Sequence, residues 1–273
     1  MNPSSGAPQS FLRWPGGKRW AVNIITPIIH GIKFERYIEP FIGGGSIFFS
    51  VHPREAIISD LNTDLIATYK AVKSSPAKVL DQLRQLTCSR EQYNAFRNMS
   101  RLKKNVDIAT RFLYLNRMSF SGMYRVNLKG EFNVPFGGDR DLRTLTESKI
   151  IQNASRCLKA AAIESSDFEE VMERAKKGDL VYCDPTYTVA HNNNGFVRYN
   201  EKVFRWEDQQ RLAKACLRAK KRGVKLIISN AAHESVIELY RDFSECRILE
   251  RPTNISVKIH ARKIVSEALF IVK

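Results

Sequence analysis

Apolar residues in this chain gather in short runs that stop on acidic or polar side chains. RYIEPF and AIISDL are two such runs, separated by a glycine cluster and SIFFSV; DLVYCDP and VKLIISN come much later, and IVSEALFIVK closes the chain. Runs of this length and β-branched content predict buried strands. Between DLVYCDP and VKLIISN, WEDQQRLAKACLRAKKRG sets Leu212, Ala213, Cys216 and Leu217 at helical spacing, with Gly223 placed to cap the helix C-terminus. Strand, helix, strand in this rhythm predicts an α/β sheet with helices on both faces.

The middle of the chain breaks the rhythm. From about Thr63 to Ser148 the pattern is helical and basic, and YRVNLKGEFNVPFG alternates around Lys129-Gly130 in the manner of a hairpin, about 119–137 overall. The expected organisation is a core of residues 1–62 and 149–273 carrying residues 63–148 as an insert.

With 273 residues and 43% hydrophobic content, the chain can bury a sizeable interior. No stretch nears the roughly 18 apolar residues of a membrane span. Met1 to Ser10 lacks a basic start with an apolar core behind it, so a cytoplasmic protein is expected. Cys88, Cys157, Cys183, Cys216 and Cys246 form no C-x-x-C pair, which suggests neither disulfides nor zinc and predicts reduced core thiols.

A net charge of +16 favours a polyanionic partner through counterion release, although an anionic membrane or a ribosomal surface fits charge alone. The charge is localised. Between Arg97 and Arg143, ten Lys or Arg face four Asp or Glu, interleaved with Phe112, Tyr114, Phe120, Tyr124, Phe132 and Phe136. Two readings fit: an element that faces nucleic acid, with rings for stacking, or a solvated helical face over a small aromatic core.

Candidate chemistry sits at the strand ends. EPFIGGGSIF places three glycines after a strand and before an apolar segment able to open a helix, where glycine permits a tight turn and close approach of a ligand. It is neither a G-x-G-x-x-G fingerprint nor a P-loop, and both a nucleoside site and a plain turn fit it. Asp60 follows Gly43 by 17 residues, near the spacing of a ribose-binding acid; a helix N-cap before LNTDLIATY is the competing role. FLRWPGGK adds Trp14, two glycines and Lys18 ahead of a helical stretch. LVYCDPTYTVA ends a buried strand on Asp184, Pro185, Thr186 and Tyr187.

FLRWPGGK, EPFIGGGSIFF, ISDLN, FLYLNRMSFSGMYRVNLKGEFNVPFG and YCDPTY, in this order, resemble the Dam-type DNA adenine-N6 methyltransferases of the D12 class, from about Phe11 to the last strand. The resemblance implies a Rossmann-like methyltransferase core with an inserted DNA-recognition region. It implies S-adenosylmethionine as cofactor, S-adenosylhomocysteine as product, no metal, and double-stranded DNA as partner to a monomer or homodimer. Trp14 and Lys18 would contact the methionine part of the cofactor. Glu39, Phe41 and Gly43 would form the loop beneath it, Asp60 would bind the ribose, and Asp167 and Phe168 of ESSDF would meet the adenine. Asp184, itself also beside the cofactor, and the Pro185 carbonyl would accept the two N6 hydrogens of a flipped adenine on which Tyr187 stacks. Thr186 departs from the family, which usually has a second proline there.

For recognition, the resemblance assigns Phe120 and Met123 as wedges, Arg125 as a guanine reader, and Asn133 and Pro135 to base edges or backbone. Ser256, Lys258, Arg262 and Lys263 of the RPTNISVKIHARK loop would grip phosphates. The expected target is a short adenine-containing site, with GATC a candidate, and the source a bacterium or phage. A nicotinamide-dependent oxidoreductase leaves the Asp-Pro-Thr-Tyr terminus and the basic insert unexplained. Asp184 and the hairpin argue against N4-cytosine or protein-glutamine methylation, and a non-catalytic DNA-binding relative rests on Thr186 alone.

Overall fold

Tyr37 and Ile38, and Leu180, Val181 and Cys183, are shielded from water on both faces of two short strands. Strands buried on both faces are characteristic of a parallel sheet covered on both sides by helices. The computed structural model describes residues 9–99, 102–127, 130–138, 140–189, 204–252 and 264–272. The chain divides into two compact units, residues 1–33 with 42–165, and residues 34–41 with 166–273.

The second unit holds β1 (Arg36–Glu39), β4 (Asp179–Cys183), β5 (Lys225–Ala231), β6 (Glu245–Pro252) and β7 (Ile264–Val272). β4 lies between β1 and β5 and is parallel to both, with Ile38 opposite Val181 and Cys183 opposite Ile228. β7 runs antiparallel to β5, and β6 antiparallel to β7. At the start of β1 and β4, Arg36 grips buried Asp179 with two hydrogen bonds, 3.2 and 2.7 Å. Helices α9 (Phe168–Glu173), α10 (Trp206–Lys221) and α11 (Glu234–Tyr240) complete the unit. Gly223 ends α10 as expected: at φ +82° its N–H returns to the Lys220 carbonyl, and Val224 N–H to that of Ala219.

The first unit pairs β2 (Ala56–Ser59) with β3 (Ala161–Glu164) in parallel. Its helices are α1 (Val22–His30), α2 (Ser46–Val51), α3 (Thr63–Ser74), α4 (Pro76–Arg84), α5 (Arg90–Asn98), α6 (Asn105–Met118), α7 (Arg143–Thr146) and α8 (Ile150–Leu158). Helix α3 buries Leu65, Ile66, Tyr69 and Val72 and packs against α6 and α8.

Several expectations need correction. β3 and β6 have no clear signal in the hydrophobic pattern: β3 has four residues, and β6 leaves Cys246 and Ile248 in solvent. Leu217 is 38% exposed rather than part of the buried α10 stripe. Of the cysteines, Cys157, Cys183 and Cys216 are core thiols, whereas Cys88 and Cys246 are exposed. Among the described residues the hairpin is held by two isolated bridges, Ser119 with Phe136 and Val126 with Phe132, rather than a long ladder. Its rings belong mostly to a small aromatic core. Phe112, Tyr114 and Phe132 are buried, Tyr124 stacks on Phe112, Phe136 tilts against Tyr93, and Phe120 is left 54% exposed.

Candidate active site

In the first unit, the glycine loop is held by three side chains. The N–H of Gly43 donates to Asp60 at 3.1 Å, the Gly43 carbonyl accepts from the Tyr69 hydroxyl at 2.9 Å, and the Gly44 carbonyl accepts from Ser10. Gly43 and Gly45 have φ of +43° and +66°. A Cβ on Gly43 would lie 2.7 Å from Trp14 Nε1, and one on Gly44 2.8 Å from Trp14 Cβ. The close approach that glycine permits is thus with the Trp14 ring, which also stacks on Phe112 and Tyr124 at 6.3 and 5.6 Å.

Asp60 does not cap α3; Asn62 does, accepting from Leu65 N–H at 3.0 Å. The other Asp60 oxygen accepts from Asn62 N–H at 3.0 Å. Burial raises the Asp60 carboxyl above its ordinary range, against the pull of the Asn62, Gly43 and Leu61 amides. Each carboxylate oxygen accepts more than one hydrogen bond, so this geometry is compatible with a diol as a further partner. Lys18 is buried, 4% exposed, with Nζ 3.2 Å from the Gly16 carbonyl.

In the second unit, Glu39 and Asp184 lie at the carboxyl ends of parallel β1 and β4, where α/β sheets bind ligands. Glu39, 3% exposed, accepts from the Tyr37 hydroxyl at 2.7 Å. After β4 the chain is braced at three points. Gln209 Nε2 reaches the Thr186 and Thr188 carbonyls at 3.4 and 3.3 Å, the Thr188 hydroxyl donates to the Phe204 carbonyl at 2.6 Å, and the Tyr187 hydroxyl donates to Glu267 at 2.8 Å. Gln209 is itself held by Asn230 Nδ2 at 2.8 Å. Pro185 is buried while Asp184, Thr186 and Tyr187 are half-buried. Burial, then the charges of Asp184 and Glu267, push the Tyr187 phenol well up, so it stays a donor.

Phe41 stacks on Phe168 at 5.2 Å, and Phe204 meets both rings. Arg211 lies over Phe168, 4.4 Å from its centroid. Asp167 caps α9 through Glu169 N–H at 2.9 Å and pairs with Arg211, so its carboxylate already has two partners with which any ligand would compete.

The hairpin candidates also fall in the first unit. Phe120, Ser121 and Gly122 make a tight 3-10 turn, with Ser121 at φ +54° and Gly122 at +66°. Met123 is half-buried. Phe132 and Val134 point inward while Asn133 and Pro135 are exposed, the alternation expected of a strand. Exposed Arg125 donates through Nε to Asn133 Oδ1 at 2.8 Å. Ser256, Lys258, Arg262 and Lys263 lie outside the described residues.

Composition alone did not single out Tyr69, Gln209, Asn230 or Glu267. A glutamate inside the apolar run IVSEALFIV was the available signal for the last. An arginine cluster was also missed. Burial and then Arg140 lower Arg13, burial and then Arg13 lower Arg19, and burial, Arg13 and Arg19 bring Arg117 down to about 10 against the opposing pull of Asp141.

In the first unit, the buried Lys18 ammonium suits a carboxylate and Asp60 a ribose; in the second, Glu39 suits an ammonium and the stacked Phe41 and Phe168 rings an adenine, the groups that S-adenosylmethionine carries. Among the described residues no group of three or more His, Cys, Asp or Glu is placed to hold a metal ion.

Residues 14–254 match the family described as D12 class N6 adenine-specific DNA methyltransferase. A type II methyltransferase of Lactococcus lactis subsp. cremoris is 34% identical over 95% of this chain and 93% of its own length. The DNA adenine methylase of Escherichia coli (strain K12) is 30% identical over 97% of this chain and 95% of its own. A DNA N-6-adenine-methyltransferase of Escherichia phage P1 is 33% identical over 89% of this chain but 32% of its own length.

Proposed function

Because the chain belongs to the D12 class of N6 adenine-specific DNA methyltransferases, we propose that Asp184, Pro185 and Tyr187 are the groups with which it methylates a flipped-out adenine in a short duplex site. The observation that supports this assignment is the bracing of the segment after β4, where Gln209 fixes backbone carbonyls and Glu267 fixes the Tyr187 hydroxyl.

An adenine N6 amino group is a poor nucleophile because its lone pair is delocalised into the ring. The Asp184 carboxylate and the Pro185 carbonyl accept its two hydrogens and localise that lone pair, and the restricted proline φ helps to aim the carbonyl. Tyr187 stacks on the base, which must leave the helix to reach these groups. Bound S-adenosylmethionine supplies a methyl group made electrophilic by its sulfonium. Asp184 takes the N6 proton, which becomes acidic only as the new bond forms.

Trp14, Lys18, Glu39, Phe41, Gly43, Asp60, Asp167, Phe168 and Asp184 line the cofactor site in this reading, with Asp60 on the ribose. Residues 63–148 form the recognition insert. Phe120 and Met123 hold the opened stack, Arg125 reads guanine, and Asn133 and Pro135 lie along the groove. The net charge of +16 and the nearby Arg13, Arg19 and Arg140 favour DNA before any base is read. Lys258 and Arg262 add phosphate contacts. The protein acts in the cytoplasm, as a monomer or homodimer on DNA, on an adenine-containing site for which GATC is one candidate.

Transfer of tritiated methyl groups from S-adenosylmethionine to DNA of mixed sequence tests the activity, with the expected result incorporation at adenine N6. Asp184→Ala abolishes incorporation and retains DNA binding. Retained turnover in that variant overturns the role given to Asp184, and no incorporation by the pure wild-type protein overturns the activity.

A further inference from the structure

We infer that Glu267 is a positioning residue that fixes the direction in which the Tyr187 ring meets the target base; this rests on the role given to Tyr187 above. β7 is otherwise apolar where it is buried: Ala268, Leu269, Phe270, Ile271 and Val272 are all shielded from solvent. Glu267 precedes them at 4% exposure and lies opposite Ala231, the last residue of β5. A carboxylate in such a place is costly where an apolar residue of similar size would pack without penalty, so its presence calls for a partner.

The Tyr187 hydroxyl is such a partner, 2.8 Å from Oε2. A hydroxyl–carboxylate bond is among the stronger hydrogen bonds a side chain makes. The Tyr187 oxygen lies on the axis of the second side-chain torsion, so a bond there fixes the first torsion and the direction of the ring axis. It holds the ring plane only through the preference of a phenol O–H for that plane. Gln209 meanwhile holds the carbonyls on either side of Tyr187. Backbone and ring tip are therefore fixed separately, by α10 and by β7. Tyr182 and Asp184 are among the ionisable groups around this pair.

The test uses the full-length protein with two duplexes: one with the target adenine, for kcat and KM, and one with 2-aminopurine in its place, which has no N6 amino group to methylate and whose emission rises on leaving the helix and falls when stacked on a ring. Glu267→Leu removes the acceptor while filling its volume, Glu267→Gln keeps an acceptor oxygen, and Tyr187→Phe removes the donor. Expected for E267L are a thermal midpoint no lower than wild type, 2-aminopurine emission in the complex at least about twofold higher, and kcat about tenfold lower with KM for DNA nearly unchanged. E267Q restores most of both signals. Y187F reproduces the E267L emission and carries the test if E267L does not fold. In the Y187F background E267L adds little, the non-additivity expected of groups in contact.

Equal effects of E267L in the wild-type and Y187F backgrounds, or wild-type emission from Y187F, overturn the inference. Tyr187→Ala separates this from the underlying role: if it leaves emission and kcat unchanged, Tyr187 does not touch the base and the role itself fails. If Y187A shifts both while E267L shifts neither, the role of Tyr187 stands and Glu267 has no part in it.

Discussion

The carboxamide of Asn116 holds both backbone groups of Arg13: its Oδ1 accepts from the Arg13 N–H at 3.0 Å, and its Nδ2 donates to the Arg13 carbonyl at 2.7 Å. The same Nδ2 reaches the Gly122 carbonyl at 3.3 Å. One fully buried side chain at the end of α6 thus ties FLRWPGGK to the Phe120 turn. Asn116→Ala strips these bonds from buried groups and is expected to lower unfolding free energy in urea by about 2–4 kcal/mol. Asn116→Asp, which keeps the acceptor and loses the donor, is also destabilised.

The glycine loop gives a second prediction. Alanine at Gly43 meets a positive φ and the Trp14 ring together. Gly43→Ala is expected to weaken S-adenosylmethionine binding about tenfold or more, read by equilibrium binding, while cooperative unfolding persists.

Thr186 is held through its carbonyl, a group that proline also has. Thr186→Pro is therefore expected to keep kcat within about threefold of wild type. Gln209→Leu, which leaves the carbonyls of Thr186 and Thr188 and the Asn230 amide without their shared partner, is expected to cut kcat about tenfold or more. Steady-state methyl transfer measures both.

Arg125 is already oriented by Asn133 before DNA arrives. Arg125→Ala is expected to relax the choice of base at one position of the site by about 1–3 kcal/mol, and Asn133→Ala to do so less. Sequencing of methylated DNA reads the change, and an unaltered methylation map contradicts the role of the hairpin.

Alkaline pH is expected to destabilise the fold. Burial raises the Cys157 thiol from 9.0 to about 11 and the Tyr93 phenol from 10.0 to about 12. Above each ordinary value the unfolded chain gives up its proton while the folded one retains it. The stability these groups contribute is therefore complete below pH 9.0 and is lost as pH climbs from there through about 12. Urea midpoints between pH 8 and 11 are expected to fall, and Cys157→Ala to flatten the lower part of that slope. Tyr93→Phe flattens the upper part, at the cost of the hydrogen bond to the Val134 carbonyl.

Local chemistry along the chain was enough for β1, β2, β4, β5, β7 and α10, because each combines an apolar run or stripe with a terminating residue whose effect is local, such as Gly223. The motif order was likewise readable, since FLRWPGGK, EPFIGGGS, ISDLN and YCDPTY are contiguous stretches. Edge strand β6 was not: with one neighbour and a wet face, it has no need of an apolar pattern.

Choices between two uses of one residue lay beyond local chemistry. Asp60 suited a helix cap or a ribose acid, and folding brought it to the Gly43 amide while Asn62 took the cap. The insert's rings suited bases or a core, and packing buried Phe112, Tyr114 and Phe132, set Tyr124 and Phe136 against neighbouring rings, and left Phe120 exposed. Gln209 and Glu267 have neighbours in the motif that are 21 to 80 residues away in the chain. A hydrogen bond depends on distance in space, and that distance exists only once α10 and β7 have packed beside the end of β4.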